Sequence, residues 1–421
     1  MNRNTLWGTF AAAILLVLTG LVSLDESSSI SSPENSAVAA NKSVDTAEMK
    51  ISQLVAANNR FSFNLFQQLQ STSPENIFIS PQSVAIALAM LRNGTAGETQ
   101  AEITAALELS ELEPTGINPA YSKLTKTLKT AANDVELAIA NSLWINQNVA
   151  IKAEFIELTQ DSYQSIATNL NFAEPTAVET INQWVASNTA HKITEIVDAV
   201  SPADAIYLIN AIYFKGSWTK KFDSGLTKPQ PFTLDSGVTK SVAMMNQRGN
   251  YRYYENSEFQ AIRLPYGQQA ELGMYIFLPQ PDSSLEQFNQ QLNLDNWQEW
   301  LMQMRSQPGK INLPKFKLEY DTELKNVLAT LGVIQVFDDQ KADFSSLTDS
   351  SVAVDTVRHK AAIEVNEEGT EAAGVTSIGV RITSARPQKQ PFNFNADRPF
   401  FFAIRDDITE TILFMGNVVE P

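Results

Sequence analysis

The chain has 421 residues, with 31 Lys and Arg against 47 Asp and Glu, a formal charge of −16. Such a balance is a poor match for a phosphate backbone, so no nucleic acid is expected as a partner. The absence of cysteine excludes disulfides, thiol catalysis and Cys-ligated metals. Two histidines, His191 and His359, are too few for a multi-histidine metal centre.

Residues 6–24, LWGTFAAAILLVLTGLVSL, are apolar and uncharged, with Arg3 in front. Residues 1–24 therefore read as a signal peptide or a membrane anchor. The position after a short positive start favours a signal, and the length favours an anchor. Either reading puts the rest of the chain outside the cytoplasmic face, as an extracellular or periplasmic protein that is secreted or tethered through 6–24. A cleavage site near Ala37-Val38-Ala39 would lie far from the apolar run. Residues 25–48 are rich in Ser, Asn and Ala, lack a period and read as a flexible linker. The folded domain is expected over 49–421. A hydrophobic share of 43% is enough for a sizeable core.

Within the domain, 51–69 has a roughly helical apolar pattern. Residues 77–79 read as a short buried strand. Ser80 is placed to cap a helix whose first position is Pro81. That helix, 82–91, is apolar almost all round and should be buried. Gly94 should end it, with a turn at 95–97. Residues 135–145 alternate as a strand does, and 155–163 and 177–189 are helical. AIYLINAIYF at 205–214 is a continuous apolar run, as in a strand covered on both faces. Leu313-Pro314-Lys315-Phe316 is expected to begin a strand and 321–331 to form a helix.

Residues 367–383, EEGTEAAGVTSIGVRIT, look like a strand without a sheet. The even positions Thr370, Ala372, Gly374, Thr376, Ile378, Val380 and Ile382 are small or β-branched. The odd positions carry the charges and most polar groups, Val375 excepted, so one face is apolar and one wet. The glycines at 369, 374 and 379 weaken the run. On pattern alone this is an ordinary strand with a softened end.

EEGTEAAG, about fifty residues from the C-terminus, resembles the hinge of the inhibitory serpins, the serine-protease-inhibitor family. So do SP-S opening the buried helix at 80–83, LINAIYFKGSW followed by Phe222, VAMMNQRGNYRYYE at 242–255, MYIFLP at 274–279, VFDDQKADFSSLT at 336–348, and HKAAIEV before the hinge. The endings FNADRPFFFAIRDD and TILFMGNVVEP complete a resemblance covering about 50–421. It implies one α+β domain with three β-sheets, about eight or nine helices and an exposed reactive-centre loop near 367–390.

The resemblance assigns candidate sites. Ser80, Ser83, Asn210 and His359 match the shutter residues beneath the central strands. Short polar groups and an imidazole satisfy one another in a buried gap and can be re-partnered when a strand enters. An ordinary buried network is the plain alternative. Trp218 matches the breach, where a loop would first enter. Lys315 and Glu367 match an ion pair at the hinge. Glu367, Gly369, Thr370, Glu371, Ala372 and Ala373 form the hinge, and small side chains there suit an inhibitor. The seventeenth residue from Glu367 is Thr383, so the reactive bond is Thr383–Ser384, suited to an elastase-like or subtilisin-like protease. Arg381–Ile382 is the alternative and would suit a trypsin-like enzyme. Arg386–Pro387 is disfavoured by its proline. The stretch 384–393 is longer than usual before FNADRPF, which leaves the register open.

No G-x-S-x-G elbow or Gly-rich phosphate loop occurs, and the chain is not expected to be an enzyme. The expected function is a serine protease inhibitor that traps its target as an acyl-enzyme and inserts the cleaved loop into the main sheet of a metastable fold. A non-inhibitory carrier or chaperone is the alternative. The expected partner is a target serine protease. No cofactor or metal is expected, and the protein should be a monomer.

Overall fold

The computed structural model describes residues 33–130, 135–370 and 390–421. The chain divides into two units, Met1–Thr46 and Ala47–Pro421. A helix, Pro33–Gln70, begins inside the stretch that reads as a linker. The run AVAA at 37–40 favours helix through intrinsic propensity, which needs no amphipathic period to be expressed. The leader at 6–24 lies outside the described residues.

The second unit is built on a six-stranded sheet. Its order across the sheet is Phe316–Glu323, Val354–Val365, Gly369–Thr370, Ile206–Ser217, Val135–Asn146 and Ile166–Leu170. The two long central strands, Val354–Val365 and Ile206–Ser217, pair directly and in parallel over most of their length. Only at one end does the two-residue strand Gly369–Thr370 lie between them, antiparallel to both.

Ile206–Ser217 is buried on both faces, as its unbroken apolar run predicts. Its even positions Leu208, Ile212 and Phe214 join the main core. Its odd positions Tyr207, Ile209 and Ala211 join a second core with Trp144, Ile181 and Val185. The helix Pro81–Asn93 packs on the main-core side, buried from Pro81 to Arg92. The Ser80 side chain accepts from the Ser83 backbone N–H, and Pro81 takes the first helical position.

The remaining strands form a nine-stranded sheet. Its longest member, Thr239–Glu255, pairs with Lys228–Thr233, with Phe259–Tyr266 and with Arg305–Pro314. This continuous strand joins into one hydrogen-bonded set what the resemblance counts as two sheets. The described residues contain nine α-helices.

Two local expectations change. The stretch 313–316 does not start a strand: Arg305–Pro314 ends there and Phe316–Glu323 begins after Lys315. The helix expected over 321–331 is only Lys325–Thr330. Residues 321–323 remain strand because they pair with Arg358, His359 and Lys360, so the sheet partner overrides local helix propensity.

Candidate functional site

The chain leaves Val354–Val365 and turns back at once. Asn366 and Gly369 exchange both backbone hydrogen bonds, closing a tight hairpin with Glu367 and Glu368 at its tip. Gly369 has φ +149, and a Cβ there would meet Gly216 O at 2.1 Å. Only glycine fits both the dihedral and the gap. Thr370 follows and is fully buried. Its hydroxyl is 2.8 Å from the Tyr266 hydroxyl. Tyr266 in turn stacks on Trp218, with ring centroids 4.4 Å apart.

The hairpin tip is clasped from several sides. Lys315 Nζ meets Glu367 Oε2 at 2.9 Å, and Thr227 donates to Glu367 Oε1 at 2.8 Å. Lys221 pairs with Glu368. The Trp218 indole N–H donates to Asn366 O at 2.9 Å, and backbone N–H groups of Trp218 and Phe222 donate to Glu368 O and Glu367 O. Partial burial would raise the Glu367 carboxyl. The hydrogen bonds from Lys315 and Thr227 outweigh that and hold it below the usual range.

Further down the sheet, four polar residues stand in register across four strands. His359 lies opposite Thr322 on one side and Asn210 on the other, and Asn210 lies opposite Asn141. The protons are fixed by the partners. Backbone N–H of Ser80 donates to His359 Nε2 at 3.2 Å, so the ring proton sits on Nδ1 and is donated to Asn210 Oδ1 at 2.5 Å. The Asn210 amide then donates to Ser83 Oγ and to Asn141 Oδ1. Ser80 Oγ donates to Leu413 O at 2.7 Å, tying the helix cap to a strand of the other sheet. Burial pulls the His359 imidazole from 6.5 down to about 3, so it is neutral at ordinary pH.

The structure thus brings Ser80, Ser83, Asn210 and His359 together, and separately gathers Trp218, Lys315, Glu367, Gly369 and Thr370. Glu371, Ala372, Ala373, Arg381, Ile382, Thr383 and Ser384 lie outside the described residues. Sequence reasoning missed Asn141, Tyr266 and the Lys221–Glu368 pair. A polar residue at position 141, in the middle of the strand 135–145, was the available signal for Asn141.

The central sheet holds the short strand Gly369–Thr370 between its two long central strands, in the same sheet as a buried polar row, within an α+β fold. A sequence model of the serpin (serine protease inhibitor) family matches residues 56–421, and the chain belongs to that family. It is 36% identical to the leukocyte elastase inhibitor of Equus caballus, over 88% of this chain and all of that one. It is 34% identical to an uncharacterized serpin-like protein of Methanosarcina acetivorans, over 92% of each chain. Human thyroxine-binding globulin, solved in complex with thyroxine, superposes with a TM-score of 0.81 at 26% identity, over 88% of this chain and 99% of that one. The family is one of protease inhibitors, and the chain is not an enzyme.

Proposed function

We propose that this chain is an inhibitory serpin that traps a serine protease covalently by inserting its cleaved loop into the six-stranded sheet. The observation that carries this reading is the pairing of Gly369 with Ser217 and of Thr370 with both Gly216 and Val365. On this reading, that pairing supports Gly369–Thr370 as the point from which insertion would continue.

The protease serine attacks the Thr383 carbonyl. The C–N bond to Ser384 breaks, the new amine leaves with a proton, and an ester remains on the enzyme. About fourteen residues, 370–383, then enter between the central strands, a travel of roughly 45 Å at ~3.3 Å per residue. Side chains two apart share a face, so even positions follow Thr370 into the interior. Those positions, from Ala372 to Ile382, are the small and apolar set. Each residue gains ladder hydrogen bonds, and the apolar ones gain burial at ~25 cal/mol per Å². Elastase-like or subtilisin-like targets suit Thr383, and the relatedness to leukocyte elastase inhibitors supports the former. Cleavage after Arg381 would select a trypsin-like target. The apolar run at 6–24 supports a site of action outside the cytoplasm.

The test is to mix the full chain with an elastase-like, a subtilisin-like and a trypsin-like protease. An SDS-resistant adduct and a released peptide starting at Ser384 are expected. A peptide starting at Ile382 moves the specificity to Arg381. Clean cleavage by all three without any adduct would overturn the trapping reading in favour of a carrier or chaperone.

A further inference from the structure

Just after the loop in sequence, the strand Phe392–Asn395 pairs with Arg305–Pro314, which pairs with Thr239–Glu255. Along the last of these, Met245, Gln247, Tyr251 and Tyr253 are buried. The alternate residues Asn246, Arg248, Asn250 and Arg252 therefore face outward. Arg248 lies directly opposite Lys310, and Lys310 directly opposite Asn393. Like charges opposite each other on a sheet are destabilising. Here the pair stands with no compensating carboxylate: among the described residues, neither the Arg248 nor the Lys310 side chain makes a hydrogen bond or ion pair.

The carboxylates at the strand ends are engaged elsewhere. Glu255 accepts from Tyr253, and Asp397 is held by Arg398 and Asn395. A chain of net charge −16 has acidic residues to spare, yet among the described residues none neutralises this row. A broken local rule without structural return marks a functional surface. The loop sequence adds the same sign, with Arg381, Arg386 and Lys389 against Glu371 over 371–389.

We infer that the face bearing Arg248, Lys310 and Arg252 is a docking surface for the protease itself, fitted to a target whose active-site rim is rich in carboxylates. This rests on the inhibitor reading. The face steers the encounter, while the loop supplies the covalent chemistry. A long polyanion fits less well, because the strongly negative remainder of the molecule opposes it within a Debye length.

The test uses Arg248→Glu/Lys310→Glu in the full chain. The probes are elastase-type proteases with acidic or neutralised rims, each as the active enzyme and with its nucleophilic serine replaced by alanine. For the acidic-rim protease, the association rate should fall about tenfold or more at low salt. The difference should vanish near ~1 M salt, where screening reaches ~3 Å. Adduct stoichiometry and thermal midpoint should match the parent, and Arg248→Lys/Lys310→Arg should retain the parent rate. Equal association rates for parent and charge-reversed proteins at low salt would overturn the proposal. So would an equal loss against both rims, or unchanged protease rates with lost binding to a sulfated polysaccharide. If charge-dependent docking to the serine-less protease persists while no active protease forms an adduct, the docking surface stands and the trapping reading fails.

Discussion

On the proposed mechanism, Thr370 is the first side chain that insertion must bury. It is fully buried and shares a hydrogen bond with Tyr266, so a long charged side chain there would have to be desolvated before any further residue could enter. Thr370→Arg is expected to convert the inhibitor into a substrate: loop cleavage continues and the SDS-resistant adduct disappears. Undiminished trapping by that variant would count against insertion. Gly369→Ala carries a related penalty, because its Cβ would collide with Gly216 O. It should expel the hairpin and raise the number of inhibitor molecules consumed per protease.

His359 gives a pH signature at the same scale. Its folded value, about 3, lies below the 6.5 of the unfolded chain, so between those values the unfolded state binds the extra proton. Stability from this residue is complete above about pH 6.5 and is lost as pH falls toward 3. From pH 8 to pH 5 the loss should be about 2 kcal/mol. Urea midpoints of the parent should fall over that interval more steeply than those of His359→Gln. Parallel curves would contradict a neutral buried imidazole.

At the scale of elements, the hairpin at 366–369 and the polar row are linked by register. Thr370 stands opposite Gly216 and Val365, and His359 opposite Asn210. Six residues further along the same register, an inserted strand would carry Thr376 to the level of Asn210 and His359. The bond between those two side chains must then open. A hydroxyl arriving there can accept from His359 Nδ1 and donate to Asn210 Oδ1. Thr376→Val should slow completion of insertion, seen as more loop-cleaved product per adduct, while leaving the uncleaved protein's stability within ~0.5 kcal/mol.

Much of this was legible in the chain. The buried helix, its Ser80 cap and the doubly covered strand follow from capping chemistry and continuous apolar runs. The cluster of Ser80, Ser83, Asn210 and His359 came through resemblance, since nothing in their spacing brings four distant residues together. Asn141 is marked only as a polar residue in a mostly apolar strand, which does not say what a neighbouring strand places opposite it. Tyr266 was missed for the same reason, as its contact with Thr370 depends on the fold. The short helix Lys325–Thr330 and the helical start at Pro33 show opposite errors: a sheet partner cut one helix short, and alanine propensity extended another.

For the whole molecule, the two central strands pair with each other where a longer inserted strand would pair with both. The uncleaved protein on this reading is not at its lowest free energy, and its persistence is a matter of barriers. A single cut in the loop should therefore raise the thermal midpoint, measured by differential scanning calorimetry at several scan rates. A lower midpoint after cleavage would mean that the freed segment does not enter the sheet.

Trp218 turns this architecture into an optical instrument. Its indole N–H is bonded to the hinge backbone, and its ring lies on Tyr266 beneath Thr370. The other described tryptophans, at 144, 184, 297 and 300, belong to contacts elsewhere in the fold. Withdrawal of the hairpin would leave this indole wetter and shift its emission to longer wavelength. The chain's lack of cysteine means that a single introduced thiol can carry a second dye. The movement of the hinge can then be timed by light alone.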